Sequence, residues 1–75
     1  MNDPYRIEIL KRRSLRGTYR ARLYYLGVDG MPQRVCTVHG ETPEEAEKFA
    51  RAEAVCEHEK YGHADGELSI EVVHA

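Results

Sequence analysis

Tryptophan is absent from these 75 residues, phenylalanine occurs once and proline three times. No apolar run approaches the length of a membrane span. The start, Met1-Asn2-Asp3-Pro4, lacks the pattern of a signal peptide, so no membrane association is expected. Cysteine occurs only at Cys36 and Cys56, too few for the disulfide framework of small secreted domains. Reduced thiols in a cytoplasmic setting are the expectation. No Ser-rich or Gln-rich tract, internal repeat or linker is visible, so residues 1–75 read as a single domain. A chain of this size buries only about 60% of the surface it exposes when unfolded. That leaves no room for a deep cleft between two lobes.

Charge is plentiful but unevenly placed. Residues 1–34 carry Arg6, Lys11, Arg12, Arg13, Arg16, Arg20, Arg22 and Arg34 against three acids, a net of +5. Residues 35–75 carry three bases against ten acids, a net of −7. Such asymmetry points to a polyanion-binding side or to charge-driven association. Seven of the first eight bases are arginine, whose planar fork suits phosphates and base edges.

Alternation of apolar and polar residues predicts strands over 5–11, 18–27 and 33–39. Tyr5, Ile7 and Ile9 share one face of the first; Tyr19, Ala21, Leu23 and Tyr25 share one face of the second. Asp29-Gly30 is a hairpin signal. With those two residues as the loop, Leu23 faces Cys36 and Ala21 faces Val38. On the other face Tyr24 meets Val35, Arg22 meets Thr37, and Arg20 meets His39. A three-residue loop would reverse the faces of the third strand.

Thr42-Pro43-Glu44-Glu45 is a helix start, with Thr42 capping Glu45, Glu45 reaching back to Thr42, and Pro43 in the first turn. The helix is predicted over 43–61, with Gly62 as a left-handed C-cap. Ala46, Phe49, Ala50, Ala54 and Cys56 lie to one side, with Phe49 as the main anchor. Glu53 falls among them and is expected to turn to solvent, since an unpaired buried carboxylate is costly. Glu44–Lys48 and Glu47–Arg51 have favourable spacing. After a turn at 63–66, a last strand is predicted over 67–73. The fold class is α+β, in the order βββαβ. An antiparallel three-stranded meander carries one helix on one face, and a final edge strand runs parallel to the first. Nothing covers the other face, which carries Arg6, Glu8, Arg20, Arg22, Tyr24, Thr37 and His39.

Metal binding is not expected. Cys36-x-x-His39 stands apart from Cys56-x-His58 and His63, and closed zinc sites need four convergent ligands. Cys36 and Cys56 are expected to meet as two buried thiols between helix and sheet. Ser14 and Ser69 lack a His or Asp partner, and the glycines read as turn residues rather than a phosphate-binding loop. No enzyme activity and no cofactor are expected.

The residues point instead to nucleic acid, with duplex DNA as the expected form. Arg20, Arg22, Thr37 and His39 can reach base edges or phosphates from an open sheet face. Lys11, Arg12, Arg13 and Arg16 can straddle the backbone, and Tyr24 can stack or bind a phosphate. The alternative is a protein-interaction module. It would hold a partner or a second copy through the acidic helix (Glu44, Glu45, Glu47, Glu53, Glu57, Glu59) or a sheet edge.

Three stretches form a pattern: Gly17-Thr-Tyr-Arg-Ala-Arg, Val28-Asp-Gly-Met-Pro-Gln-Arg and Gly40-Glu-Thr-Pro-Glu-Glu-Ala-Glu-Lys-Phe-Ala. Residues 17–50 resemble the arm-type DNA-binding domain at the N-terminus of phage integrases, the tyrosine recombinases. Tyr19, Arg20 and Arg22 match that family's aromatic-Arg-x-Arg strand. Asp29, Gly30 and Arg34 match its hairpin, and Thr42, Glu45, Ala46 and Phe49 its helix start. With the last strand included, the order is similar to HicB-type antitoxin domains, whose helix often starts Gly-x-Thr-x-Glu-Glu-Ala. The first resemblance implies DNA binding and the second a protein partner. Together they imply an accessory protein of phage or mobile-element type.

Overall fold

Among the described residues five elements follow one another as β1 (Asn2–Ile9), β2 (Tyr19–Leu26), β3 (Pro32–Gly40), α1 (Pro43–Tyr61) and β4 (Glu67–His74). This is the expected βββαβ order of an α+β domain. The structure, a computed structural model, describes residues 2–27, 30–62 and 66–75, and only the backbone of residues 2 and 3. Asp29 of the expected hairpin signal and residues 63–65 of the expected turn lie outside the described residues.

The sheet is mixed, in the order β3-β2-β1-β4. β1, β2 and β3 form the antiparallel meander, and β4 lies parallel to β1 at the edge. β1 starts three residues earlier than the alternation indicates and stops at Ile9. The early start follows from β4, whose pairing begins at Asn2 opposite Glu67. Alternation then sorts the faces. Tyr5, Ile7, Ile9, Ala21 and Leu23 are buried under the helix, and Ile7 sits directly opposite Leu23. Each of those two side chains is fully buried, which stabilises the fold by about 1.5–3 kcal/mol apiece.

The register between β2 and β3 changes partway along. From Tyr19↔Gly40 to Leu23↔Cys36 it is the expected one. A shift then follows, so Tyr24 pairs with Arg34 rather than with Val35. Val35 is the extra residue of a β-bulge. The cause lies at the turn. Gly27 N–H donates to the Met31 carbonyl at 3.1 Å, and Gly30, at φ +77°, donates to the Gly27 carbonyl at 2.8 Å. Three residues rather than two therefore separate the last pair. The bulge absorbs the odd residue and restores the faces, and Val35, Cys36 and Val38 all pack against the core.

The helix contacts the sheet along Ala46, Ala50 and Ala54, spaced one turn apart and all buried. Methyl side chains bring its axis close, and the fit is tightest at Gly40. A Cβ there would lie 2.6 Å from the Ala46 nitrogen. Phe49 is not the anchor: it is 42% exposed, because it lies about 100° round the helix from Ala50. Cys56, about 200° round from Ala54, is exposed too, while Cys36 is half-buried. No buried pair of thiols forms. Glu53 is exposed.

Thr42 Oγ1 accepts from the Glu45 N–H at 3.1 Å. The reciprocal bond goes one residue further back than expected, from the Glu41 N–H to Glu45 Oε1 at 3.1 Å. At the other end Gly62 is extended, φ −79° and ψ −176°, rather than left-handed. Its N–H still donates to the His58 carbonyl at 2.9 Å. Among the described residues no helix is long and apolar enough to cross a membrane.

Candidate nucleic-acid interface

The face of the sheet away from the helix carries Arg6, Glu8, Arg20, Arg22, Tyr24, Thr37 and His39, because each alternates with a core residue. Arg34 joins them opposite Tyr24 through the register shift. Acids on the helix and bases on the open face and its flanking loop split the charge across the thickness of the domain.

Neighbouring strands decide which of these bases are available. β1 lies between β2 and β4, so its open-face residues meet partners on both sides. Arg6 Nε is 3.1 Å from Glu71 Oε2 on β4. Arg22 Nη1 is 3.3 Å from Glu8 Oε1 on β1. Both pairs are partly exposed, and such pairs add little stability, typically about 0–1 kcal/mol. Their effect on a ligand is greater, since each guanidinium already faces a carboxylate.

Arg20 differs. Its strand neighbours are His39 on β3 and, past the end of β1, Leu10, whose N–H donates to the Arg20 carbonyl at 3.0 Å. Among the described residues no acid pairs with it, and its Nε is buried without a hydrogen-bond partner. Leaving a guanidinium N–H in that state is costly.

The loop between β1 and β2 stands beside Arg20. Lys11, Arg12, Arg13 and Arg16 are all exposed. An open hollow of about 480 Å³ is lined by Arg12, Arg13, Ser14, Leu15, Arg16, Arg20 and His39. A second, of about 390 Å³, is lined by Leu10, Lys11, Arg12, Arg20, Arg22 and Ala75. Arg12 and Arg20 border both. Among the described residues no acidic side chain lines either hollow, and guanidinium groups dominate. A third hollow, about 370 Å³ near the end of the helix, has Arg34 and Glu57 as its charged lining and so has no bias of sign.

Arg13 and His39 also have partners within the protein. The Arg13 guanidinium lies 5.7 Å from the ring centroid of Tyr19, within cation–π range. Tyr24 is half-buried on the open face, well along β2 from the loop. His39 Nδ1 is 3.2 Å from Thr18 Oγ1, which ties the end of β3 to the base of the loop. Thr37 is exposed opposite Arg22. The structure thus brings Lys11, Arg12, Arg13, Arg16, Arg20 and His39 together around the two hollows. It leaves Tyr24 and Thr37 further along the sheet, beside charges already paired.

The tip of the loop escaped sequence reasoning. Ser14 and Gly17 close a turn, with the Gly17 N–H donating to the Ser14 carbonyl at 2.9 Å and Gly17 at φ +81°. The Ser14 hydroxyl accepts from the N–H groups of Arg16 and Thr18, each at 3.3 Å, and lies 2.9 Å from Thr18 Oγ1. Ser and Gly three apart was the available signal.

Among the described residues the one shifted ionisable group stands away from this surface. Burial, then the carboxylates of Glu53 and Glu57, push the Cys36 thiol above its ordinary 9.0. Among the described residues no three His, Cys, Asp or Glu side chains converge as a metal ion requires. No family model matches this chain, and no match exists among curated proteins or solved structures.

Proposed function

We propose that this chain is a non-enzymatic nucleic-acid-binding domain that grips the phosphate backbone, duplex DNA first, with the loop over residues 11–16 and the adjoining end of β2. One observation carries the reading. Lys11, Arg12, Arg16 and Arg20 line two hollows without acidic partners among the described residues, and Arg12 and Arg20 border both. Arg22, Thr37 and Tyr24 would then follow the groove away from that anchor, with His39 beside Arg20 at its edge. An accessory protein of a phage or mobile element, in a reducing cytoplasm, is the setting this reading carries with it; both cysteines are free thiols.

The test is fluorescence anisotropy of labelled duplex across a salt series. Four neutralised phosphates give a log–log slope of roughly −3 to −4. No binding at low salt removes the proposal.

A second reading has its own observation. β4 is an edge strand, and the helix lies over β2 and β3 while barely reaching it. Leu68, Ile70 and Val72 are consequently only half-buried. Antiparallel self-pairing centred on Ile70 would set Leu68 against Val72 of a second copy and keep the two Glu71 side chains apart. Sedimentation equilibrium distinguishes the resulting dimer from a monomer.

A further inference from the structure

Leu15 is the most exposed large apolar side chain among the described residues, at 109% of its reference exposure. It stands at the outermost point of the turn closed by Ser14 and Gly17. Isolated exposed leucines are ordinary on protein surfaces. This one is held out by a turn with five hydrogen bonds around Ser14, so the chain cannot readily fold it back. Arg13 and Arg16 flank it, and Arg12 and Arg20 stand behind it in the same hollow.

We propose that Leu15 is a wedge: it enters a base step of the duplex from the minor groove and kinks it, while the flanking arginines hold phosphates. The inference rests on the nucleic-acid reading and adds to it a deformation of the DNA. A single apolar side chain set among arginines is the combination that unstacks a step and stabilises the bend electrostatically. An anionic membrane fits less well. One leucine offers little apolar area for insertion, whose strength grows with that area.

The chain has no tryptophan, so Leu15→Trp places a single indole reporter at the tip. Duplex binding is followed separately through the anisotropy of a labelled oligonucleotide. The expected result is quenching of the indole and its protection from acrylamide as the duplex binds. In wild type, energy transfer between dyes at the two duplex ends should rise on binding, and Leu15→Ala should bind while losing that rise. Binding with an unchanged indole, or a bend that survives Leu15→Ala, overturns the wedge and leaves the nucleic-acid reading standing. A blue shift on phosphatidylserine vesicles without quenching on duplex overturns it in favour of a membrane. Absence of any anisotropy change at low salt overturns both readings together.

Discussion

Arg22 Nη1 lies 3.3 Å from Glu8 Oε1 across β1 and β2, whereas Arg20, two residues earlier on the same face, has passed beyond the end of β1 and meets no carboxylate among the described residues. Two arginines that look equivalent in an Arg-x-Arg strand are therefore electrostatically different. One is partly neutralised by its own fold, and the other is free to neutralise a ligand.

That difference predicts unequal effects on binding. Arg20→Ala should reduce the steepness of the salt dependence by about 0.9, the value of one phosphate contact. Arg22→Ala should change the slope less. The double variant should lose binding at moderate salt. Arg22→Ala should alter stability by no more than about 0.5 kcal/mol, because it is an open-face position away from the core, and Arg20→Ala should not destabilise, because it removes an unpartnered buried N–H. Anisotropy titrations and thermal melts on the same samples check both statements. A larger slope change for Arg22→Ala would contradict the assignment.

Gly40 predicts a stability effect with no charge involved. A Cβ there would lie 2.6 Å from the Ala46 nitrogen and 3.0 Å from the Glu45 carbonyl carbon, both backbone atoms that a rotamer change cannot move. Gly40→Ala should cost about 1–3 kcal/mol, as overpacking does. For a domain this small, each kcal/mol lowers Tm by about 4–8 °C. Calorimetry of the variant measures it, and an unchanged Tm would show that β3 and the helix start can separate freely.

Much of this arrangement was legible in the sequence, and where it was not the reason is geometric. The helix was read to its observed ends, Pro43–Tyr61, because Thr42 caps a residue three positions on and Gly62 follows the last turn, though Gly62 is extended rather than left-handed. The pairing of Arg20 with His39 and Arg22 with Thr37 followed from alternation alone. The bulge at Val35 did not, since it compensates for the length of a turn that closes eight residues away at Gly27. Phe49 failed as an anchor because three alanines fixed where the helix touches the sheet. The ion pairs of Arg6 and Arg22 were invisible for another reason. They depend on β1 lying between β2 and β4, and no register had been read for β1. Lys11, Arg12, Arg13 and Arg16 stood out as a charged run with Arg20 and Arg22 beside it, but only the end of β1 at Ile9 separates Arg20 from the acid that Arg22 meets.

The cysteines should label in two phases. Burial, Glu53 and Glu57 raise the Cys36 thiol above 9.0, which lowers its thiolate fraction at any pH below that value. Cys56 is exposed. At pH 8, Cys56 should take up iodoacetamide first and Cys36 slowly. Glu53→Gln with Glu57→Gln should speed the slow phase by removing the repulsion between carboxylates and thiolate, though burial keeps it the slower of the two. Peptide mapping by mass spectrometry assigns each phase, and a faster Cys36 would contradict the packing of the helix over β3.

The central claim is that binding is anchored at the loop and the end of β2. Backbone NMR titration with a short duplex at low and moderate salt tests it most directly. The account predicts shifts centred on residues 11–16, Arg20 and His39, smaller ones toward Tyr24, and a general fading as salt rises. No shifts at low salt, or shifts confined to the helix or to β4, would contradict it.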